Sequence, residues 1–310
     1  MILSVGLSPA WQKILVFDRV RNGQVNRARV AAWRASGKVF NAGIAVHTLG
    51  GPGLTMAPVG GVALRPMAEE LDTLGMAYRF IRTEAETRVC TTVVEEATGS
   101  ITELVEEGKP LSADDLERFR RAYGEESKRA RVVAVMGSLP QGARVSFYRE
   151  LLEGTHCPMV LDFRGEGLLS VLDLNPLVVK PNREELERTV GRPLGDEGAL
   201  REAMRFLNGK GAEWVVVTDG AGPVWVSSAR EIYRIQPPRI AAGEIVNPIG
   251  SGDAMAGAMA REIGNGMPVV EAVRWGIAAA AQNVRRLFPC RLDPTTLADE
   301  IAGITVARLE

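Results

Sequence analysis

Short runs of apolar residues alternate with stretches of helical spacing from about residue 129 onward. Four of these runs are continuous, a pattern typical of strands covered on both faces; they lie at 132–136, 159–162, 177–180 and 214–218. Helical patterns fall between them, at 144–153, 182–190 and 196–210. The repeated strand–helix order predicts an α/β fold with a doubly wound, mainly parallel sheet flanked by helices.

Two stretches have a different pattern, in which apolar and polar residues alternate. Residues 13–34 alternate, and residues 86–105 have the pattern of a β-hairpin. Such strands predict a small antiparallel sheet, and a sheet set over a cleft can act as a lid that excludes water. An edge extension of the main sheet fits the same pattern. The lid interpretation divides the chain into a main nucleotide- and substrate-binding domain, 1–12, 35–85 and 106–310, and a small β lid, 13–34 and 86–105.

Composition and charge narrow the classes of partner. The chain has 310 residues, of which 46% are hydrophobic, and its net charge is −1. A chain of this length can bury a large core. Because the protein has no basic field, we do not expect nucleic acid or a membrane surface as its main partner. Three widely spaced cysteines and no leader or long apolar segment predict a cytoplasmic protein. With two histidines, chemistry built on histidine is not expected.

A short polar motif close to the C-terminus, Gly250-Ser251-Gly252-Asp253, precedes the small apolar residues of 254–260. Glycines before a helix allow a ligand close to the backbone, and the free N–H groups at the helix start attract an anion such as a phosphate. A resting phosphate would repel the Asp253 carboxylate. The useful role of Asp253 is therefore to take a proton from an attacking hydroxyl. An ordinary turn with an Asp cap has the same composition.

Polar residues also follow three of the predicted strands, at Gly137-Ser138, Lys180-Pro181-Asn182 and Thr218-Asp219-Gly220. In doubly wound folds, ligands bind outside the carboxyl ends of the strands. We therefore expect these residues to border a common site.

Seven short motifs occur in one order along the chain, and together they are far more specific than any one alone. They are Ser8-Pro9-Ala10, Ser36-Gly37-Lys38-Val39-Phe40-Asn41, Glu86-Thr87-Arg88, Gly137-Ser138-Leu139-Pro140, Lys180-Pro181-Asn182-Arg183-Glu184-Glu185-Leu186, Thr218-Asp219-Gly220 and Gly250-Ser251-Gly252-Asp253. With these motifs the chain resembles the ribokinase-like, or phosphofructokinase B, family of sugar kinases over essentially its whole length, near its 1-phosphofructokinase and tagatose-6-phosphate kinase branch.

The resemblance implies a catalytic centre and a nucleotide site. Asp253 is then the catalytic base, and Gly250, Ser251 and Gly252 form the anion hole for the transferring phosphoryl group. Glu185 acts on Mg²⁺ through water, since magnesium keeps much of its hydration shell. The residues implied to bind the ATP cofactor are Lys180, Asn182, Thr218, Gly220, Gly250, Gly252 and Asn283. A strand end is the alternative interpretation of Thr218 and Gly220, and a packing helix would equally explain Asn283.

The resemblance also implies a site for the acceptor. Its residues are Gln12, Gly37, Lys38, Asn41, Arg88, Ser138 and Asp253. A phosphate on the acceptor calls for local cations in a nearly neutral protein, and Arg88, Lys38 and in addition Arg27 could supply them. Solvated surface charges are the alternative interpretation of these cations.

The departures from the family pattern fall mostly on the acceptor side. Gln12 stands where the family usually has an aspartate, so an uncharged amide would meet the sugar hydroxyls. Ser36 and Val39 replace glycines, which adds side chains where backbone normally approaches the sugar. Pro248 replaces a common threonine before the anion hole and removes an N–H group. We expect phosphoryl transfer to be retained and acceptor recognition to be changed.

The function implied is phosphorylation of a ketohexose phosphate, of the fructose 1-phosphate or tagatose 6-phosphate class, by in-line attack on ATP with Asp253 as base. The expected partners are therefore a small sugar phosphate and ATP, and a homodimer formed through the lid. A kinase for an unphosphorylated sugar or nucleoside is a second possibility, distinguished by whether Arg88 and Lys38 bind a phosphate. A non-catalytic sensor of sugar phosphates or nucleotides is a third, against which the intact Asp253 argues.

Overall fold

The computed structural model describes residues 1–310. Its strands, in chain order, are β1 (Ile2–Val5), β2 (Ala10–Phe17), β3 (Val30–Ser36), β4 (Gly53–Gly60), β5 (Tyr78–Thr83), β6 (Val89–Glu95), β7 (Ser100–Val105), β8 (Val132–Met136), β9 (Met159–Asp162), β10 (Val178–Val179), β11 (Trp214–Val217), β12 (Val224–Ser227), β13 (Ile232–Gln236) and β14 (Thr305–Arg308). Its α-helices are α1 (Lys38–Thr48), α2 (Leu64–Thr73), α3 (Ala113–Glu126), α4 (Phe147–Leu152), α5 (Glu166–Leu169), α6 (Arg183–Val190), α7 (Glu197–Gly209), α8 (Ser251–Gly264), α9 (Val269–Val284) and α10 (Leu297–Ala302).

The main sheet has ten strands, in the order β14-β13-β12-β11-β10-β9-β8-β1-β4-β5. The seven neighbouring strands β11, β10, β9, β8, β1, β4 and β5 pair in parallel. Beyond β11, the strands β12, β13 and β14 extend the sheet in antiparallel pairing. The predicted doubly wound, mainly parallel sheet flanked by helices is confirmed. The antiparallel edge, which includes the C-terminal strand, was not predicted.

Neighbouring residues of the central strands pack on opposite faces of the main sheet. Ile2 of β1 packs in the cluster that contains residues of α1, α8 and α9, whereas Leu3 packs in the cluster with α3, α4 and α7. Val132 and Val133 of β8 divide in the same way. Because both faces are covered by helices, the sequence of these strands is continuously apolar.

The second sheet contains four strands, in the order β3-β2-β6-β7, and is called the small sheet below. Its two outer pairs are antiparallel, but β2 and β6 pair in parallel. The small sheet is therefore mixed rather than purely antiparallel. The strand pair β2–β3 and the strand pair β6–β7 come from separate segments of the chain, and they join through the parallel pairing of β2 and β6. Since the small sheet shares no strand with the main sheet, the alternative of an edge extension is wrong.

Helices α1 and α8 pack closely against each other. A Cβ atom at Gly257 of α8 would lie 2.5 Å from the Ala42 carbonyl oxygen of α1, so only glycine permits this approach. The first residues of the two helices, Lys38 and Ser251, line one cavity. None of the helices combines the length and apolar character that crossing a membrane requires.

Candidate active site

A cavity of about 370 Å³ lies between the carboxyl ends of the main-sheet strands and the small sheet. Most of the residues predicted to form the site line it. These are Gly37, Lys38, Asn41, Arg88, Lys180, Asn182, Glu185, Thr218, Gly250, Ser251, Gly252 and Asp253. The part lined by Asp253 and the lysines is called the main-sheet end, and the part lined by Arg88 and residues of β6 and β7 is called the small-sheet end.

The loop before α8 is held in a conformation that presents backbone N–H groups. Gly250 has a φ of 84°, and a Cβ atom there would lie 2.9 Å from Cβ of Pro289. No side chain caps the start of α8. The Ser251 N–H donates to the Pro248 carbonyl oxygen at 3.1 Å, whereas the N–H groups of Gly252 and Asp253 have no protein partner and stay free for a ligand. Together with the positive end of the helix, these groups form a site suited to an anion.

Asn283 supports this loop from α9. Its amide nitrogen donates to the Ile249 carbonyl oxygen at 3.1 Å and to the Ser251 hydroxyl at 2.9 Å. Its amide oxygen accepts from the Cys290 N–H at 2.7 Å. Since the side chain is fully buried and does not line the cavity, the described contacts of Asn283 are with protein groups that fix the loop.

Asp253 is the ionisable group closest to this anion site along the chain. The residue is 7% exposed, and its Oδ2 accepts a hydrogen bond from the Asn41 amide at 2.8 Å. Burial raises the pKa of Asp253 to about 6; Asp162 also raises it, while Lys38, the Asn41 hydrogen bond and Lys180 oppose the rise. A carboxylate with this pKa can accept a proton near neutral pH.

A network of charges surrounds Asp253 at the main-sheet end. Lys38 Nζ lies 2.7 Å from Asp162 Oδ1 and 2.9 Å from Glu185 Oε1, and Lys180 Nζ lies 2.8 Å from Asp162 Oδ2. Burial alone would lower the pKa of Lys38, but the two carboxylates outweigh burial and raise it. Burial also opposes ionisation of Asp162, yet the two lysines lower its pKa. Lys38 is therefore held as a cation beside the anion site, and the Asp162 carboxylate is shared with Lys180.

Asn182 and Glu185 form a capping box at the start of α6. The Asn182 side chain accepts from the Glu185 N–H at 2.7 Å, and Glu185 Oε2 accepts from the Asn182 N–H at 3.0 Å. With Oε1 on Lys38, both oxygens of Glu185 already have partners. No group of three or more acidic, histidine or cysteine side chains could hold a metal ion. The residues present would fit Mg²⁺ only if most of its ligands were water and substrate phosphates.

The small-sheet end has few polar contacts. The Arg88 guanidinium makes no ion pair and reaches only the carbonyl oxygens of Pro9 and Glu106, each at 3.4 Å. Cys90, Glu103 and Val105 complete this end. Cys90 and Val105 are paired across β6 and β7, and burial raises the pKa of Glu103 although Arg88 opposes the rise.

Four predicted site residues do not line the cavity. Gln12 is buried behind its wall, where it accepts from the Ser36 hydroxyl at 2.9 Å and donates to the Thr92 hydroxyl at 2.7 Å. The Ser138 carbonyl oxygen accepts from the Ser8 hydroxyl. Gly220 is exposed beyond Thr218, and Asn283 is buried behind the anion loop, so neither lines the cavity.

Several lining residues were not predicted. Asp162 ends β9, so its position at the carboxyl end of a predicted strand could have identified it. Cys90, Glu103 and Val105 lie on one face of the small sheet, which alternation along β6 and β7 could have indicated without showing that this face meets the cavity. Arg27, considered as an additional cation, is exposed and does not line the cavity.

Comparison with known proteins supports one family. The sequence model of the pfkB family of carbohydrate kinases matches residues 11–294. The fold is similar to a protein from Thermotoga maritima described as a possible 1-phosphofructokinase, with 22% identity, a TM-score of 0.90 and coverage of 100% of this chain and 99% of that one. It is also similar to phosphofructokinase-2 from Escherichia coli in complex with substrates and products, with 24% identity, a TM-score of 0.88 and coverage of 97% and 98%.

A third similar structure is the tetrameric inhibited form of phosphofructokinase-2 from Escherichia coli, with 23% identity and a TM-score of 0.87 over 97% of this chain and 98% of that one. At these identities the structural likeness establishes the fold. The family match extends over most of the sequence and includes the Asp253 loop and the lysine network. This chain therefore belongs to the pfkB family of carbohydrate kinases, and it is a sugar kinase.

Proposed function

We propose that this protein transfers the γ-phosphoryl group of ATP to a hydroxyl group of a ketohexose phosphate, with Asp253 as the general base. The observation that carries the proposal is the position of Asp253, buried beside the uncapped start of α8 and bonded to Asn41. Asp253 takes the proton of the acceptor hydroxyl while the N–H groups of Gly250 and Gly252 receive the transferring phosphoryl group.

The lysine network provides the positive charge for this transfer. Lys180 and Lys38 lie at the same end of the cavity as Asp253, where negative charge develops on the oxygens of the transferring group. We propose that the triphosphate extends past Lys180, Asn182 and Thr218, toward Gly220. A bound Mg²⁺ would neutralise phosphate charge, and Glu185 would hold it through water.

Asn283, by contrast, contributes to the nucleotide site indirectly. Its amide is occupied by Ile249, Ser251 and Cys290, so we propose that it fixes the anion loop. Gln12 acts in the same indirect way on the acceptor side, because its bond to Ser36 adjoins Asn41.

Arg88 is the residue that we propose for the acceptor's own phosphate. Lys38 is committed to Asp162 and Glu185, whereas Arg88 is free of carboxylate partners and lines the opposite end of the cavity. A phosphate at Arg88 and a hydroxyl at Asp253 would place the acceptor across the cavity. Arginine can bind a phosphate through two parallel hydrogen bonds.

A second acceptor class is favoured by Glu103. This carboxylate lines the same end as Arg88, where it would repel a phosphate and could accept hydrogen bonds from sugar hydroxyls. An unphosphorylated sugar is therefore the second candidate.

The outer face of the small sheet supports a homodimer formed through the lid. Trp33 and Leu104, which are 39% and 58% exposed, lie in one row across the sheet on the face opposite Cys90 and Glu103. Pairing with a second copy would cover these apolar side chains.

A substrate screen tests the proposed function. Purified protein is incubated with Mg-ATP and a panel of sugars and sugar phosphates, and ADP release is measured. We expect turnover with fructose 1-phosphate or tagatose 6-phosphate. Turnover confined to unphosphorylated sugars would establish the second candidate, and ATP binding without turnover on any acceptor would contradict both.

A further inference from the structure

Asp162 joins two cations of the main-sheet end through one carboxylate. Its Oδ1 lies 2.7 Å from Lys38 Nζ and its Oδ2 lies 2.8 Å from Lys180 Nζ. The carboxylate is 1% exposed and Lys180 is 3% exposed, so neither charge is stabilised by bulk water. The two lysines come from α1 and from the end of β10, and Asp162 is the group that they share.

This arrangement has a clear electrostatic requirement. The half-buried ammonium group of Lys38 and the buried one of Lys180 repel each other, and removing the carboxylate between them would leave Lys180 as an uncompensated buried charge. Lys38 would keep Glu185 as a partner, but Lys180 has no other ion pair. Asp162 is thus the one ion-pair partner of Lys180 and one of the two that hold Lys38.

We propose that Asp162 is a positioning residue for phosphoryl transfer, which holds the ammonium groups of Lys38 and Lys180 at the main-sheet end and acts on the reaction through them. The inference rests on the proposed function, since it assumes that these lysines face the transferring group. It assigns a role to a residue outside the seven motifs of the sequence.

Asp162 also affects the charge around Asp253. The groups that face Asp253 are Asn41 and Lys38 from α1, Lys180 after β10, Asp162 at the end of β9, and Cys290 after α9. Of these, the two lysines lower the pKa of Asp253 and Asp162 raises it. Loss of the Asp162 charge should therefore lower the pKa of Asp253, so that the acid limb of the pH–rate profile moves to lower pH.

The test compares Asp162→Asn with the wild-type protein, using the acceptor that the wild type phosphorylates. Asparagine keeps the shape but turns an NH₂ group toward one ammonium. We expect kcat to fall roughly tenfold to a hundredfold, as when reacting groups are misplaced by about 1 Å. We also expect the acid limb of kcat against pH to move to lower pH.

Glu126→Gln is the matched control. Glu126 is a buried carboxylate that also joins two cations, Arg79 at 2.7 Å and Arg129 at 2.5 Å, but it does not line the cavity. Its loss should lower the melting temperature without a change in kcat or in the acid limb. A purely structural role for Asp162 would give the same result as this control.

Two further variants show whether Asp162 acts through the lysines. In a Lys38→Met background, Asp162→Asn should reduce kcat by a smaller factor than in the wild type, because one of its two partners is already absent. Asp162→Glu keeps the charge and moves it, so kcat should fall while the acid limb stays in place. This variant also tests the proposal if Asp162→Asn does not fold.

The outcomes separate the two proposals. If the wild type turns over a sugar and Asp162→Asn keeps kcat within about twofold with an unmoved acid limb, the positioning role is overturned. The positioning role is also overturned if Asp162→Asn lowers kcat by the same factor in the Lys38→Met background as in the wild type, because the two residues would then act independently. If the wild type phosphorylates no sugar, the proposed function fails first.

Discussion

The two ends of the cavity differ in how strongly their side chains are fixed. At the main-sheet end, Asp253, Lys38 and Lys180 have partners at 2.7–2.9 Å from three separate elements of the main fold, α1, β9 and α6. At the small-sheet end, Arg88 has two contacts at 3.4 Å and no ion pair. Groups that stabilise the charge developing during phosphoryl transfer must be preorganised, whereas recognition of an acceptor can rest on fewer and looser contacts. The proposed function thus assigns chemistry and specificity to different parts of the fold.

The largest expected effect belongs to the main-sheet end. Asp253→Asn should lower kcat by roughly a hundredfold to ten-thousandfold, since an amide cannot accept the hydroxyl proton. ATP affinity should change little, because the anion loop and the lysines remain. Initial rates and nucleotide titration check this. A variant with more than about half of the wild-type kcat would remove Asp253 from the role of base.

The small-sheet end should respond in KM rather than in kcat. Arg88→Ala should raise the acceptor KM by about tenfold to a hundredfold, since a hydrogen bond to a charged group contributes about 1.5–3 kcal/mol. The KM for ATP should not change. Arg29→Ala is the control, because Arg29 is an exposed arginine that pairs with Glu96 outside the cavity. Equal changes in both KM values would show that the two ends are not separate.

The pH dependence of kcat reports on the main-sheet end alone. Asp253 must be ionised to act as a base, and burial raises its pKa to about 6. We therefore expect kcat to fall about tenfold per pH unit below this value and to level off above it. An acceptor phosphate also titrates near pH 6. Asp253→Asn provides the control. If Asp253 is the titrating group, the residual kcat of this variant should not fall as the pH drops below 6.

The smallest expected effect is on stability. The pKa of Asp253 rises from 3.8 unfolded to about 6 folded, so its contribution to stability is full below pH 3.8 and is lost as pH rises through 6. Asp253→Asn should therefore raise the free energy of unfolding at pH 8, by up to about 3 kcal/mol, with no gain below pH 4. Urea unfolding at both pH values checks this.

Asp173→Asn gives the control of opposite sign. The hydrogen bond from Arg149 lowers the pKa of Asp173, so this carboxylate stabilises the fold when ionised and its loss should not raise stability at pH 8. A gain in both variants would point to a general charge effect rather than to burial of Asp253.

The sequence predicted the main-sheet end better than the small-sheet end, and the reason is physical. Continuous apolar runs mark buried parallel strands, and polar residues at their ends must share one edge, which brought Lys180, Asn182 and Thr218 together. Asp162 was missed because it was counted as the last residue of its strand rather than as a group at that edge.

At the small-sheet end, alternation shows that two faces exist but not which face meets the cavity. Gln12 was predicted from a motif to contact the acceptor, yet its amide lies in the wall between Ser36 and Thr92. Asn283 was placed correctly on a helix of small residues, but its side-chain partners depend on how closely α9 packs behind the anion loop. Such contacts join residues far apart in sequence, so no local pattern encodes them.

The close packing of α1 and α8 has a consequence for the ionic conditions under which this protein works. Both helices begin at the cavity, with Gly37 and Gly250 as residues that bear no capping side chain. Two positive helix ends therefore lie at one cavity, which should attract small anions of any kind. Sulfate and inorganic phosphate should compete with ATP for it, so the measured affinity for ATP depends on the anion composition of the buffer as well as on its ionic strength.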